Sequence, residues 1–165
     1  MAADYFLQID GIKGESQARG HKGEIEILSF SWGVSNAGAK TGGGGGAGKV
    51  QMSDFSIIKY MDSSSPQLFE ACCSGQPIQT ASLTIARKAG GGQQEFFKIK
   101  LTDVLISSVS PGGATGGNTE PLEQISFNFA RVDISAADRN GQFVSNISCG
   151  GFRGGDVIGE NDEHH

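Results

Sequence analysis

Short runs of alternating apolar and polar residues, each stopped by turn-forming residues, recur along most of the chain. This pattern constrains the fold more than any other feature. Alternation puts every second side chain on one face, so each run reads as a strand with one side against a core. Tyr5 to Ile9 is the first such run, stopped by Asp10-Gly11. Glu24 to Trp32 is the second, and its alternation breaks near Leu28, the mark of a bulge or of burial on both faces. Val50 to Tyr60, Gln79 to Lys88, Phe96 to Val109, Ile125 to Ile134 and Gln142 to Ser148 follow. The pattern assigns Ala81, Leu83, Ile85 and Arg87 to one side of their strand, and Ile125, Phe127, Phe129 and Arg131 to one side of theirs. Asn140-Gly141 is a hairpin signal before the last strand.

Helical punctuation occurs once. Ser64 or Ser65 is placed to cap, Pro66 suits the first turn, and Gly75 is placed to end the helix. Leu68, Phe69, Cys72 and Cys73 share a face at helical spacing and are expected to pack on the strands. Many strands with one short helix predict an all-β chain: a compact β-barrel of two antiparallel sheets with one short flanking α-helix. Its length of 165 residues fits one domain, read as residues 1–149, with 150–165 a glycine-rich and then acidic tail.

Charge and composition exclude several functions. The net charge is −5 and the 13 basic residues are scattered, so no basic stripe exists to bind nucleic acid. No apolar run is long enough to span a membrane, and the N-terminus lacks the basic and apolar regions of a signal peptide. The expectation is synthesis in the cytoplasm, with any export left to a dedicated machine. Cys72, Cys73 and Cys149 form no disulfide framework and read as structural thiols. The Asn146-Ile147-Ser148 sequon carries no meaning without a secretory signal, and His164 and His165 are assigned no role.

Gly43 to Lys49 satisfies the spacing of a phosphate loop, but Val50 stands where Ser or Thr would hold magnesium. A strand follows where the helix should begin, so the segment reads as a long loop. His21 stands alone in a polar turn with no second ligand at metal spacing. The acids lie in turns or on exposed faces, and no nucleophile–base pair or nucleophile elbow is present. No catalytic residue, metal or cofactor is therefore assigned. Trp32 ends an apolar strand and reads as core. A carbohydrate-binding β-sandwich is the alternative binding module, and it would require exposed aromatics.

Taken in order, Lys13-Gly14-Glu15-Ser16, His21, the strand ending Ser31-Trp32-Gly33, and Gly48-Lys49-Val50 resemble the Hcp family. Lys59-Tyr60, Ser65-Pro66-x-Leu68, Ala71-Cys72-x-Ser74-Gly75, Leu83-Thr84-Ile85, Val104 to Ser110 and Asn128-Phe129-Ala130 continue the resemblance, over about residues 3 to 135. It implies a tube protein of the type VI secretion system, a homohexamer whose rings stack inside a contractile sheath tipped by a spike. It also implies secretion by that apparatus and small effector proteins carried in the lumen. Two sites follow as expectations. The loop Ala37-Gly38-Ala39-Lys40-Thr41-Gly42-Gly43-Gly44-Gly45-Gly46-Ala47-Gly48-Lys49 is assigned to ring stacking or neighbour contact, and Ser31 to the lumen wall.

Overall fold

A computed structural model describes residues 3–36, 50–89, 92–113, 115 and 120–150. Among the described residues, ten strands and one helix follow one another. They are β1 (Ala3–Ile9), β2 (Ile25–Ile27), β3 (Ser29–Ser31), β4 (Val34–Asn36), β5 (Val50–Met52), β6 (Phe55–Tyr60), α1 (Ser65–Ser74), β7 (Ile78–Ala89), β8 (Gly92–Gly112), β9 (Leu122–Ala137) and β10 (Phe143–Gly150). The main sheet runs β2-β1-β7-β8-β9-β6-β3. All its pairings are antiparallel. β10 pairs the far half of β9, and among the described residues β4 and β5 pair only with each other.

The break at Leu28 brings the sheet close to closing on itself. β2 pairs β1 at one edge, and β3, after one intervening residue, pairs β6 at the other. At the switch the Leu28 N–H donates to the Ile58 carbonyl at 2.7 Å. The segment read as one strand, bulged or buried on both faces near Leu28, is therefore two strands with different partners. A barrel edge satisfied in this way leaves few orphan backbone groups.

Inside lie Leu7, Ile9, Ile25, Phe55, Ile57, Leu83, Ile99, Leu101, Val104, Ile125, Phe127 and Phe129, all nearly inaccessible. Trp32 sits half-buried against them, with its ring centroid 6.0 Å from Phe55 and its indole N–H on Met52 Sδ at 3.1 Å. β8 and β9 change face at one level: Leu101 and Val104 point inward, and so do Phe129 and Val132 opposite them. Asp103, at φ 53°, is the one non-glycine residue with positive φ among those described. The shift moves Arg131 outward and gives its expected inward place to Val132. In β7 a register shift after Ile85 likewise leaves Arg87 exposed and buries Ala86.

The helix starts and stops as its punctuation predicts, with Gly75 at φ 66° closing it. Its buried stripe differs. Ser65, Leu68 and Ala71 are covered and Cys72 is half-buried, whereas Phe69 is 51 % exposed and Cys73 is exposed. A single face of a ten-residue helix covers too narrow an arc to include both neighbours of that stripe. The cap also differs, since the Ser64 side chain makes no cap bond to the helix. Gly150, read as the first tail residue, is the last residue of β10; 151–165 lie outside the described residues.

Candidate functional site

Antiparallel register lines up four serines across four neighbouring strands. Ser31 of β3 faces Ser56 of β6, Ser56 faces Ser126 of β9, and Ser126 faces Ser108 of β8. The residues beside them in sequence, Phe30, Phe55, Ile57, Ile125 and Phe127, point into the core, so the serines occupy the outer face. Ser56 and Ser126 join Oγ to Oγ at 3.0 Å. The next level holds Ser29, Ile58, Gln124 and Ser110. On the other side, Asp54 accepts from Ser107 at 2.7 Å and from Asn128 at 3.3 Å. Ser31 thus stands at the end of a row of small, neutral hydroxyls. A row like this donates and accepts hydrogen bonds without charge.

The loop from Ala37 to Lys49 lies outside the described residues. Its flanks do not: Val34, Ser35 and Asn36 of β4 pair with Met52, Gln51 and Val50 of β5.

Two polar clusters escaped the sequence reading. Lys59 and Glu123 are buried, with side-chain exposures of 0 % and 2 %, and Lys59 Nζ lies 2.5 Å from Glu123 Oε1. Lys59 also donates to Asp62 and to the Tyr60 carbonyl, each at 2.9 Å, while the Ser65 hydroxyl donates to Glu123 at 2.7 Å. The acids are therefore not all in turns or on exposed faces. The signal was present in the sequence: Lys59 follows Phe55 and Ile57 at inward parity, and Glu123 precedes Ile125 and Phe127 at theirs. Burial pushes the Asp62 carboxyl up. The Ser64 hydroxyl, the Lys59 ammonium and the Ser64 N–H outweigh it and hold the pKa below its usual 3.8. This network ties the first turn of α1 to β6 and β9.

His21 is the second correction. It is not isolated in a polar turn but buried, stacked on Phe6 with centroids 4.2 Å apart. Nδ1 meets Glu24 at 3.1 Å and Nε2 meets Glu95 at 3.2 Å. The ring clamps the 10–24 segment over the outer face of β1. Gly14 makes the segment's return possible, since a Cβ there would stand 2.5 Å from the Glu24 carbonyl oxygen. Among the described residues, no group of three His, Cys, Asp or Glu side chains is arranged to hold a metal.

The family model "Type VI secretion system effector, Hcp" matches residues 6–135. The chain belongs to the Hcp family. Hcp1 of Pseudomonas aeruginosa is 47 % identical over 135 residues, covering 81 % of this chain and 83 % of that protein. The crystal structure of Hcp1 from Salmonella typhimurium matches with a TM-score of 0.73 at 34 % identity, over 96 % of this chain and all of the other. A further solved type six secretion system protein gives a TM-score of 0.78 at 36 % identity, over 90 % of this chain and 94 % of its own. This Hcp chain is a tube protein of the type VI secretion system, of a structural and secreted family. A carbohydrate-binding sandwich is not favoured. No helix among the described residues is long and apolar enough to cross a membrane.

Proposed function

We propose that six copies close into a ring with the serine row on the lumen wall, and that stacked rings carry small effector proteins through the sheath behind the spike. The row Ser31, Ser56, Ser126 and Ser108 carries the lumen assignment. A channel that holds a folded cargo and then releases it needs a wall that wets the cargo surface without strong, charge-specific contacts. Small hydroxyls supply hydrogen bonds worth about 0.5–1.5 kcal/mol each, which sum to a hold yet yield one at a time. In this reading the chain is made in the cytoplasm, leaves only through the secretion apparatus, and does no catalysis itself.

The test is Ser31→Trp. The ring mass should stay unchanged and co-purification of small effectors should fall at least tenfold. Undiminished effector capture would take Ser31 off the lumen wall. The loop Ala37 to Lys49 is assigned in the same reading to contacts with a neighbouring copy or the next ring. Its glycines would make each contact modest, because ordering them costs conformational entropy. Deleting Gly42 to Gly46 should leave the melting temperature in place and shorten tubes seen by electron microscopy.

A further inference from the structure

The turn between β9 and β10 combines a chemical weakness with contacts that restrain it. β9 ends at Ala137 and β10 begins at Phe143. The Asp138 N–H donates to the Gln142 carbonyl at 2.8 Å and closes the loop, which leaves Arg139, Asn140 and Gly141 at its tip. Asn140 is exposed, and its side-chain amide has no hydrogen-bond partner among the described residues. Asparagine is a labile residue, and most so before glycine, whose backbone nitrogen has no neighbouring side chain to keep it from the amide carbon.

The tertiary structure requires glycine at this place. Gly141 sits at φ 84°, in the left-handed region that side chains disfavour. A Cβ there would also displace the Gln94 amide of β8. The hairpin therefore keeps the labile pair as a condition of its own geometry.

The same turn holds the reacting atoms apart. Asp138 accepts from three of its N–H groups: Asn140 at 2.9 Å and Gln142 at 3.0 Å on Oδ1, and Gly141 at 3.1 Å on the carbonyl oxygen. Ring closure needs the Gly141 nitrogen, stripped of its proton, to face Asn140 Cγ. A nitrogen whose proton is held by a carbonyl gives it up only when the turn opens, and the same opening admits hydrogen exchange.

We infer that Asn140 is a spontaneous modification site and that Asp138 is the residue that restrains it. When the turn opens, the Gly141 nitrogen loses its proton to solvent and bonds to Asn140 Cγ. The Cγ–N bond of the side chain breaks, and ammonia leaves with a proton taken from water. Water then opens the five-membered imide at either carbonyl, giving aspartate or, where the chain now runs through the former side chain, isoaspartate. Each event consumes one water and releases one ammonia. Isoaspartate lengthens the loop by one backbone atom, and both products place a carboxylate where an amide stood. An opened turn is thus recorded in the covalent chain and not undone.

The experiment follows ammonia loss at each asparagine of the full chain, by peptide mapping and mass spectrometry in mildly alkaline buffer. In urea, Asn140 should convert faster than Asn128 and Asn146, which precede phenylalanine and isoleucine. Equal rates for all three would remove Asn140 as a site. In the folded wild type, Asn140 should convert at least about tenfold more slowly than in urea. Asp138→Ala removes two hydrogen bonds to a carboxylate and should recover most of that difference, with exchange of the Gly141 N–H quickened in proportion. If folded Asp138→Ala converts at the wild-type rate, Asp138 is not the restraint. Should Asp138→Ala melt early, Asp138→Asn keeps an acceptor oxygen and should stay near the wild-type rate. Conversion of that folded variant at the rate seen in urea would equally overturn the role.

Discussion

Replacing Lys59 by methionine keeps the unbranched side chain out to its fourth heavy atom and removes the ammonium with its charge and donors. Methionine fills the same channel between β6 and α1, so little volume is lost. What is left is Glu123, 2 % exposed, without the ammonium that now lies 2.5 Å away. Removing one partner of a buried pair costs about 3–5 kcal/mol, because the remaining charge stays desolvated. The Ser65 hydroxyl at 2.7 Å still donates to Glu123 and offsets part of this, so a value near 3 kcal/mol is expected. For a domain of this size that lowers the melting temperature by about 6–12 °C. The assay is urea denaturation followed by tryptophan fluorescence, since Trp32 is the single tryptophan and packs on Phe55 and Phe129. Wild type and variant are compared at one dilute concentration, so that assembly does not enter the difference. The double variant Lys59→Met/Glu123→Leu removes both charges and should recover most of the loss. A loss below about 1 kcal/mol for Lys59→Met would falsify the reasoning, since it would mean that Glu123 is not held dry by its surroundings.

Two further outcomes follow from the same geometry. The Asp62 carboxyl has its pKa lowered in the folded chain, so its contribution is fully present above the unfolded value near 3.8 and is lost as pH falls through the lower folded value. Asp62→Asn should therefore lower stability near neutral pH and flatten the acid limb below about pH 4, read from denaturation midpoints against pH. Gly14→Ala drives a methyl to within 2.5 Å of the Glu24 carbonyl oxygen, backbone that cannot swing aside. It should cost about 1–3 kcal/mol and quicken hydrogen exchange across residues 14–24, while an unchanged exchange pattern there would show that the segment had room to move.

What was legible in the sequence came from local signals. Pro66 and Gly75 bracketed the helix, whereas Ser31 was reached through the family resemblance and its neighbours Ser56, Ser126 and Ser108 came only from register. The buried ion pair was equally within reach, since Lys59 and Glu123 stand at core parity in their strands, but neither reveals alone that the other lies opposite. The ordered motifs from Lys13 to Ala130 added the family, which no composition or period contains.

Sequence alone determined most of the strand segments, where the helix begins and ends, and which face of most strands meets the core. These depend on residues a few positions apart: the two-residue period of a strand and the φ preferences of glycine and proline. Tertiary structure alone decided the neighbours. It made Leu28 the point where one segment leaves β1 for β6, and moved Arg131 outward by a face change shared with β8. It left Phe69 in solvent and gathered Glu95 to His21 from a distant strand. Alternation records a side and never a partner; register and barrel closure assign partners, and they exist only once distant strands have paired.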